Sequence, residues 1–358
     1  MLYREAGQFK TSYQADQQLF PIRQDRIAMI AVLVVAFVLV PLIGNGYWFQ
    51  AILIPFLVLS LAALGLNILT GYAGQLSLGT AAFMAVGAFG AYNFVLRIPW
   101  MPVLVSFVLG GLCAALVGFM FGLPSLRIKG FYLAVTTLAA QFFVVWALTH
   151  FGWFSNNSSS GVISAPPIQI LGYRFDSPRS LYLLVLAIVV LLALAAKNLV
   201  RSESGRAWMA VRDMDVAAAV IGIPVTKTKL TAFAVSSFYC GVAGALYAFV
   251  YLGTVEPDAF NLDLSFRVLF MIVIGGLGSI LGSFLGAAFI TLFPIFLSRY
   301  GESLSSALGV DLPPGMISNI VLIVFGALIV FFLAVEPYGF ARLWQTTKEK
   351  LRLWPFPH

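Results

Sequence analysis

Few residues in this chain have the types or the spacing for bond-making chemistry. Its two histidines, His150 and His358, are too scattered to hold a metal. Cys113 and Cys240 both lie in apolar runs, where they read as small packing residues rather than a disulfide or metal pair. Glu203, Asp213 and Asp215 share one loop with no His or Cys beside them, so no acid–base constellation is visible. No G-x-x-x-x-G-K-S/T phosphate loop is present. Gly276-x-Gly278-x-x-x-Gly282 misses the dinucleotide spacing and sits in apolar sequence, where small residues serve close helix packing. The chain therefore reads as a non-enzyme with no metal or cofactor of its own.

The elements that carry these residues are set by hydropathy. Between Ile27 and Leu96 there is no Asp, Glu, Lys or Arg, and further uncharged runs cover 98–126, 130–173, 180–196, 230–255, 268–298 and 312–335. A bilayer span needs roughly 20 apolar residues. With 61% apolar residues and a mean hydropathy of +0.96, the fold class expected is an all-α polytopic membrane protein. Uncharged length and Gly, Pro and Trp punctuation give about ten spans: 28–43, 51–70, 77–96, 102–122, 131–150, 180–197, 230–252, 266–276, 282–299 and 316–335. The short stretch 266–276 would rise only about 16 Å. Either two short broken helices meet at the glycines that follow, or 268–298 is one kinked helix and there are nine spans. The domain plan is a tail 1–27, a transmembrane unit 28–335 and a tail 336–358. The first 26 residues lack a cleavage-like exit and read as a cytosolic tail.

Orientation follows from the basic residues. With the N-terminus inside, 16 of the 21 Lys and Arg fall inside, and Arg97, Arg174, Arg179, Arg267 and Arg299 fall outside. Both termini and the loop 198–229 are then cytoplasmic, and the Ser-, Asn- and Pro-rich loop 151–179 and the segment 300–315 are external. Ten spans keep the basic C-terminus inside; nine do not. No predicted span carries a charge near its middle, so an ion-driven transporter is disfavoured. The path reads as uncharged, and any energy input must come from a partner.

Within the inside loop, 206–221 reads as one amphipathic helix with Trp208, Val211, Met214, Ala218 and Ile221 as its apolar stripe. Gly222 would cap it and Pro224 would stop it. Such a helix could lie on lipid or dock on a cytosolic protein.

The segment Arg212-Asp213-Met214-Asp215-Val216-Ala217-Ala218-Ala219-Val220-Ile221-Gly222-Ile223 resembles the cytoplasmic loop of the branched-chain amino-acid ABC transporter permeases. Leu66-Asn67-Ile68-Leu69-Thr70-Gly71-Tyr72-Ala73-Gly74-Gln75-Leu76-Ser77-Leu78-Gly79 is similar to that family's first Gly-rich segment. Leu123 to Ala134 and Gly275 to Gly282 match two more segments, in family order. The resemblance implies the membrane subunit of a binding-protein-dependent importer in the bacterial inner membrane. Its partners would be a second permease, two cytosolic ATP-binding subunits and a periplasmic binding protein; ATP would bind the partner. The loop would be the coupling helix, with Arg212, Asp213, Met214, Asp215, Ala217, Ala218, Ile221 and Gly222 facing the ATPase. The solute implied is Leu, Ile or Val, while related permeases carry urea, amides or aromatic acids. A stand-alone facilitator for a small neutral solute is the other reading; co-purification of an ATPase separates the two.

The polar residues within the resembling segments are Asn67, Thr70, Gln75, Ser77, Thr136, Thr137 and Gln141. They are candidates for lining the path, since neutral groups and helix ends can hold and release an amino acid. Thr137 and Gln141 share a helix face. Interhelical hydrogen bonding, worth about 0.6 kcal/mol, is the competing role. The Gly-rich breaks 71–79 and 275–286 sit at unequal ordinals in a five-plus-five split, so no internal repeat is read.

Overall fold

In a computed structural model of the chain, the described residues are 11–12, 23–98, 100–125, 131–158, 162–170, 173–307, scattered positions between 323 and 334, and 339–353. Arg127, Lys129, the segment 308–322 and most of the expected tenth span lie outside them. Inside a bilayer each backbone polar group must be bonded within its own segment or by a close neighbour. The uncharged runs accordingly form helices: α1 Gln24–Ile43 and α2 Trp48–Tyr72, α3 Thr80–Arg97, α4 Val103–Ser125 and α5 Phe131–His150. Two short strands, β1 Ile163–Ser164 and β2 Gln169–Ile170, come next, and then β3 Tyr173–Arg174. The chain continues as α6 Pro178–Arg201, α7 Glu203–Asp213, α8 Asp215–Val220, α9 Val225–Leu252, β4 Thr254–Val255, α10 Leu262–Gly275, α11 Ile280–Ala307 and α12 Gly339–Leu353. Six of these are long and apolar enough to cross a membrane among the described residues.

The core is built on α2 and α9, 83% and 78% buried over their apolar windows, against 6% for α1. They run antiparallel: Gly65 backs onto Tyr239 and Cys240, and the Cys240 thiol donates to the Ala62 carbonyl. Small residues permit the close crossings. A Cβ on Gly87 would collide with the Gly241 backbone, and one on Gly244 with that of Met84.

Both core helices end alike. Each finishes in a π-helical turn, Ile68–Tyr72 or Tyr247–Leu252. Each continues as an irregular segment, 73–79 or 253–261, and restarts as a shorter helix, α3 or α10. The two breaks that correspond are therefore 73–79 and 253–261, rather than the two Gly-rich stretches weighed in the sequence. The alternatives for 266–298 also resolve. α10 is a separate helix of 14 residues, about 21 Å long. It ends at a turn in which Gly276 (φ 113°) and Gly278 (φ 73°) adopt conformations that L side chains disfavour.

The connections sort into two ends. At one, Arg97 donates to the Trp153 carbonyl at 3.0 Å, and β1 pairs antiparallel with β4 through Ile163–Val255. At the other, Arg212 near the end of α7 lies beside Gly71, Gly74 and Gly278. There Lys348 of α12 also makes a 3.1 Å ion pair with Asp25 at the start of α1.

Candidate functional site: the broken-helix core and the docking loop

The two restarting helices meet head to head. A helix N-terminus leaves N–H groups without intrahelical partners, and within a bilayer each unsatisfied group costs several kcal/mol. Side chains from two other positions satisfy two of those of α3, and a third holds the N–H of Leu78 just before it. Gln141 Oε1 accepts from Ala82 N at 2.6 Å, Ser265 Oγ from Ala81 N at 2.9 Å, and Thr137 Oγ1 from Leu78 N at 2.9 Å. Gln141 Nε2 then donates to the Phe260 carbonyl at 2.7 Å, tying in the segment that leads to α10. Gln141 is the central residue of the apolar span Tyr132–His150, so this junction lies at mid-depth of that span.

A second junction holds the other ends. Asn67, fully buried on α2, donates from Nδ2 to Ser279 O and Ser283 Oγ, both at 2.8 Å. Its Oδ1 accepts from Gly278 N at 2.9 Å. One amide thereby binds the end of α2 to the turn between α10 and α11. One helical turn on, the Gly71 carbonyl accepts from Arg212 Nη1 at 2.9 Å. A Cβ on Gly74 would meet the Arg212 side chain.

Arg212 belongs to the loop expected as a single helix over 206–221. The structure corrects this: Met214 is extended (φ −160°, ψ 101°) and separates α7 from α8. Arg212 is held by Gly71 and by Asp213, 2.8 Å away. The Asp215 carboxylate opens α8, where an acidic group suits a helix N-terminus. The apolar stripe is split accordingly. Trp208, Val211 and Ala218 are buried on their own chain, with Trp208 Nε1 donating to Thr231 Oγ1. Met214, Val216, Val220 and Ile221, within eight residues of one another, are 63–83% exposed. Gly222 ends α8 as expected, at φ 89°. Ile223 N bonds Ala218 O across it in the Schellman pattern.

The family profile described as "Branched-chain amino acid transport system / permease component" matches residues 49–333. The chain belongs to this permease family. It is 31% identical over 264 residues to the high-affinity branched-chain amino acid transport system permease protein LivM of Salmonella typhimurium, covering 67% of this chain and 61% of that protein. It is 33% identical over 241 residues to the LivM protein of Escherichia coli, covering 60% and 56%. This permease thus spans about three fifths of the length of those two relatives. The fructose import permease protein FrcC of Rhizobium meliloti is 25% identical over 76% of this chain and 78% of its own. No solved structure matches it.

Within this permease the candidate lining residues fall into different roles. Asn67, Thr137 and Gln141 have their polar atoms spent on the backbone of the broken helices. Thr70 donates to Gln75 O, Ser77 accepts from Gly79 N, and Thr136 bonds back to Tyr132 O on its own helix. Gln75 Nε2 is buried and, among the described residues, has no partner; Thr80 Oγ1 is the same. Ser265, Ser279 and Ser283 share the junctions and have no individual signal in the sequence beyond their place near the Gly-rich segment.

Charged residues do reach mid-depth on α10, outside the middle of any expected span. Ser265 Oγ lies 3.4 Å from Gln141 Oε1, so α10 starts at mid-depth. Asp263 and Arg267, each two residues from Ser265, stand about 3 Å along the helix axis from that level. The basic-residue count places Arg267 outside only because it ends an uncharged run.

Proposed function

We propose that the chain is a membrane-spanning permease subunit of a binding-protein-dependent ABC importer for branched-chain amino acids. It moves the solute while a partner subunit hydrolyses ATP. Family membership over residues 49–333 carries this reading. The names of the Salmonella and E. coli relatives support the solute class. FrcC, and the autoinducer 2 import permease LsrC of Enterobacter, show that more distant relatives are named for sugar or autoinducer import. The partners would be a second permease, two cytosolic ATP-binding subunits and a periplasmic binding protein. The protein would sit in the inner membrane.

Coupling would run through contacts already described. The ATPase seats on Met214, Val216, Val220 and Ile221. Displacement of the loop pulls on Gly71 through Arg212, and the Asn67 amide passes the movement to the turn at Gly278. The broken helices would then shift as rigid pieces about their glycine turns.

Uptake of labelled leucine in a strain lacking this gene, with urea, fructose and a simple aromatic acid in parallel, tests the proposal. Loss of leucine uptake, restored only when the ATPases and binding protein are also present, is expected. Loss of another solute alone changes the ligand. Transport by this chain alone in liposomes without ATP overturns the importer.

A further inference from the structure

On α10, Asp263, Phe266, Arg267 and Phe270 recur at i, i+3, i+4 and i+7 and share one helix face. Ser265 points the other way, into the core against Ala81 and Gln141. Asp263 and Arg267 are exposed on the isolated chain, and Phe266 and Phe270 half-buried. The two rings stack at 6.2 Å with 17° between their planes. The charges stand beside the level of Gln141, the midpoint of the Tyr132–His150 span. Charges at that depth are expensive against lipid, and face a bundle interior or a water-filled cavity. An Asp and Arg four residues apart on a helix are well placed to pair with each other. Here they form no ion pair, and neither has a hydrogen-bond partner among the described residues.

From this we propose that Asp263 and Arg267 bind the two charged ends of the transported amino acid. The Asp263 carboxylate accepts from the α-ammonium and the Arg267 guanidinium donates to the α-carboxylate, a charge-assisted contact that can be bidentate. The Phe266–Phe270 stack would lie beside an aliphatic side chain. The ligand class is a zwitterionic α-amino acid, whose two ionic ends match the two opposite charges; a neutral sugar or urea offers them hydrogen bonds but no charge. The inference rests on the importer reading above and adds the residues that select its solute.

The test uses the complete importer in cells lacking the native gene. Arg267→Gln and Asp263→Asn should each lower the maximal rate of leucine uptake about tenfold or more. Protein abundance and ATPase co-purification should stay at wild-type levels, and Arg267→Lys should recover part of the rate. Arg267→Cys, in a background lacking Cys113 and Cys240, should react with a membrane-impermeant charged thiol reagent. Unchanged leucine uptake in both neutral variants overturns the site and leaves the importer standing. Loss of abundance in Arg267→Lys as well as in both neutral variants, or no reaction of the thiol in Arg267→Cys, means lipid or a partner subunit covers this face and overturns it too. Failure of the wild-type complex to take up any amino acid overturns both readings.

Discussion

Gln141 holds two backbone groups: it accepts from Ala82 N and donates to Phe260 O. Leaving a buried polar group unsatisfied costs about 1–3 kcal/mol, so Gln141→Leu should destabilise the membrane domain by about 2–6 kcal/mol over the two groups. Gln141→Asn keeps both kinds of group on a side chain one carbon shorter, and should cost less. The apparent melting temperature in detergent orders the three proteins as wild type, then Asn, then Leu. Equal melting of Gln141→Leu and wild type would show the amide to be dispensable for the fold. Asn67 behaves in the same way at the Gly278 junction. The sequence exposes both residues as polar positions in apolar surroundings. It does not reveal their partners, because these lie 59 to 216 positions away. A lining residue and a residue capping a broken helix look alike until the chain is folded.

At the scale of elements, the loop 198–229 divides into a face packed on its own chain and a face left exposed. Met214→Glu and Val220→Glu each place a charge where an ATPase would bury it, at a cost of several kcal/mol. ATPase co-purification should be lost while the yield of the permease in detergent is kept. Ala218→Asp should differ, since Ala218 is 2% exposed and packed on its own chain; it should lower the yield as well. Retained ATPase binding by both glutamate variants would assign the exposed face to lipid. The long helices were legible because hydrocarbon tolerates no charge for some 20 residues, and nine of the expected spans have a helix at their place. The break at Met214 was not, since its residues keep helical spacing on both sides and the Arg212–Gly71 bond is tertiary. The start of α10 was hidden for a similar reason. Its first turns carry Asp263 and Arg267, and an uncharged-run criterion places charged residues outside the membrane.

For the whole molecule, the count of crossings decides where the termini lie. The structure sets Asp25, before the first span, against Lys348, after the last, at 3.1 Å. Two points that close lie on the same side of a bilayer, so the chain between them crosses an even number of times. On that ground an even number of crossings is expected; the expected tenth span falls mostly outside the described residues. The basic-residue split predicts that this shared side is the cytoplasmic one, together with the loop holding Glu203 and Ser204. The opposite side would carry Val162, next to the β1–β4 pair that ties the loop 151–179 to the far end of α9. Single cysteines at Val162 and at Ser204, both exposed, in a background lacking Cys113 and Cys240, should react with an impermeant thiol reagent from opposite sides. A cysteine at Gln345 on α12 should follow the Ser204 position. If it follows Val162 instead, the number of crossings is odd and the Lys348–Asp25 pair cannot exist in the membrane. If all three react from one side, the alternation of the spans is wrong, and the docking loop would face the compartment that holds the binding protein instead of the one that holds ATP.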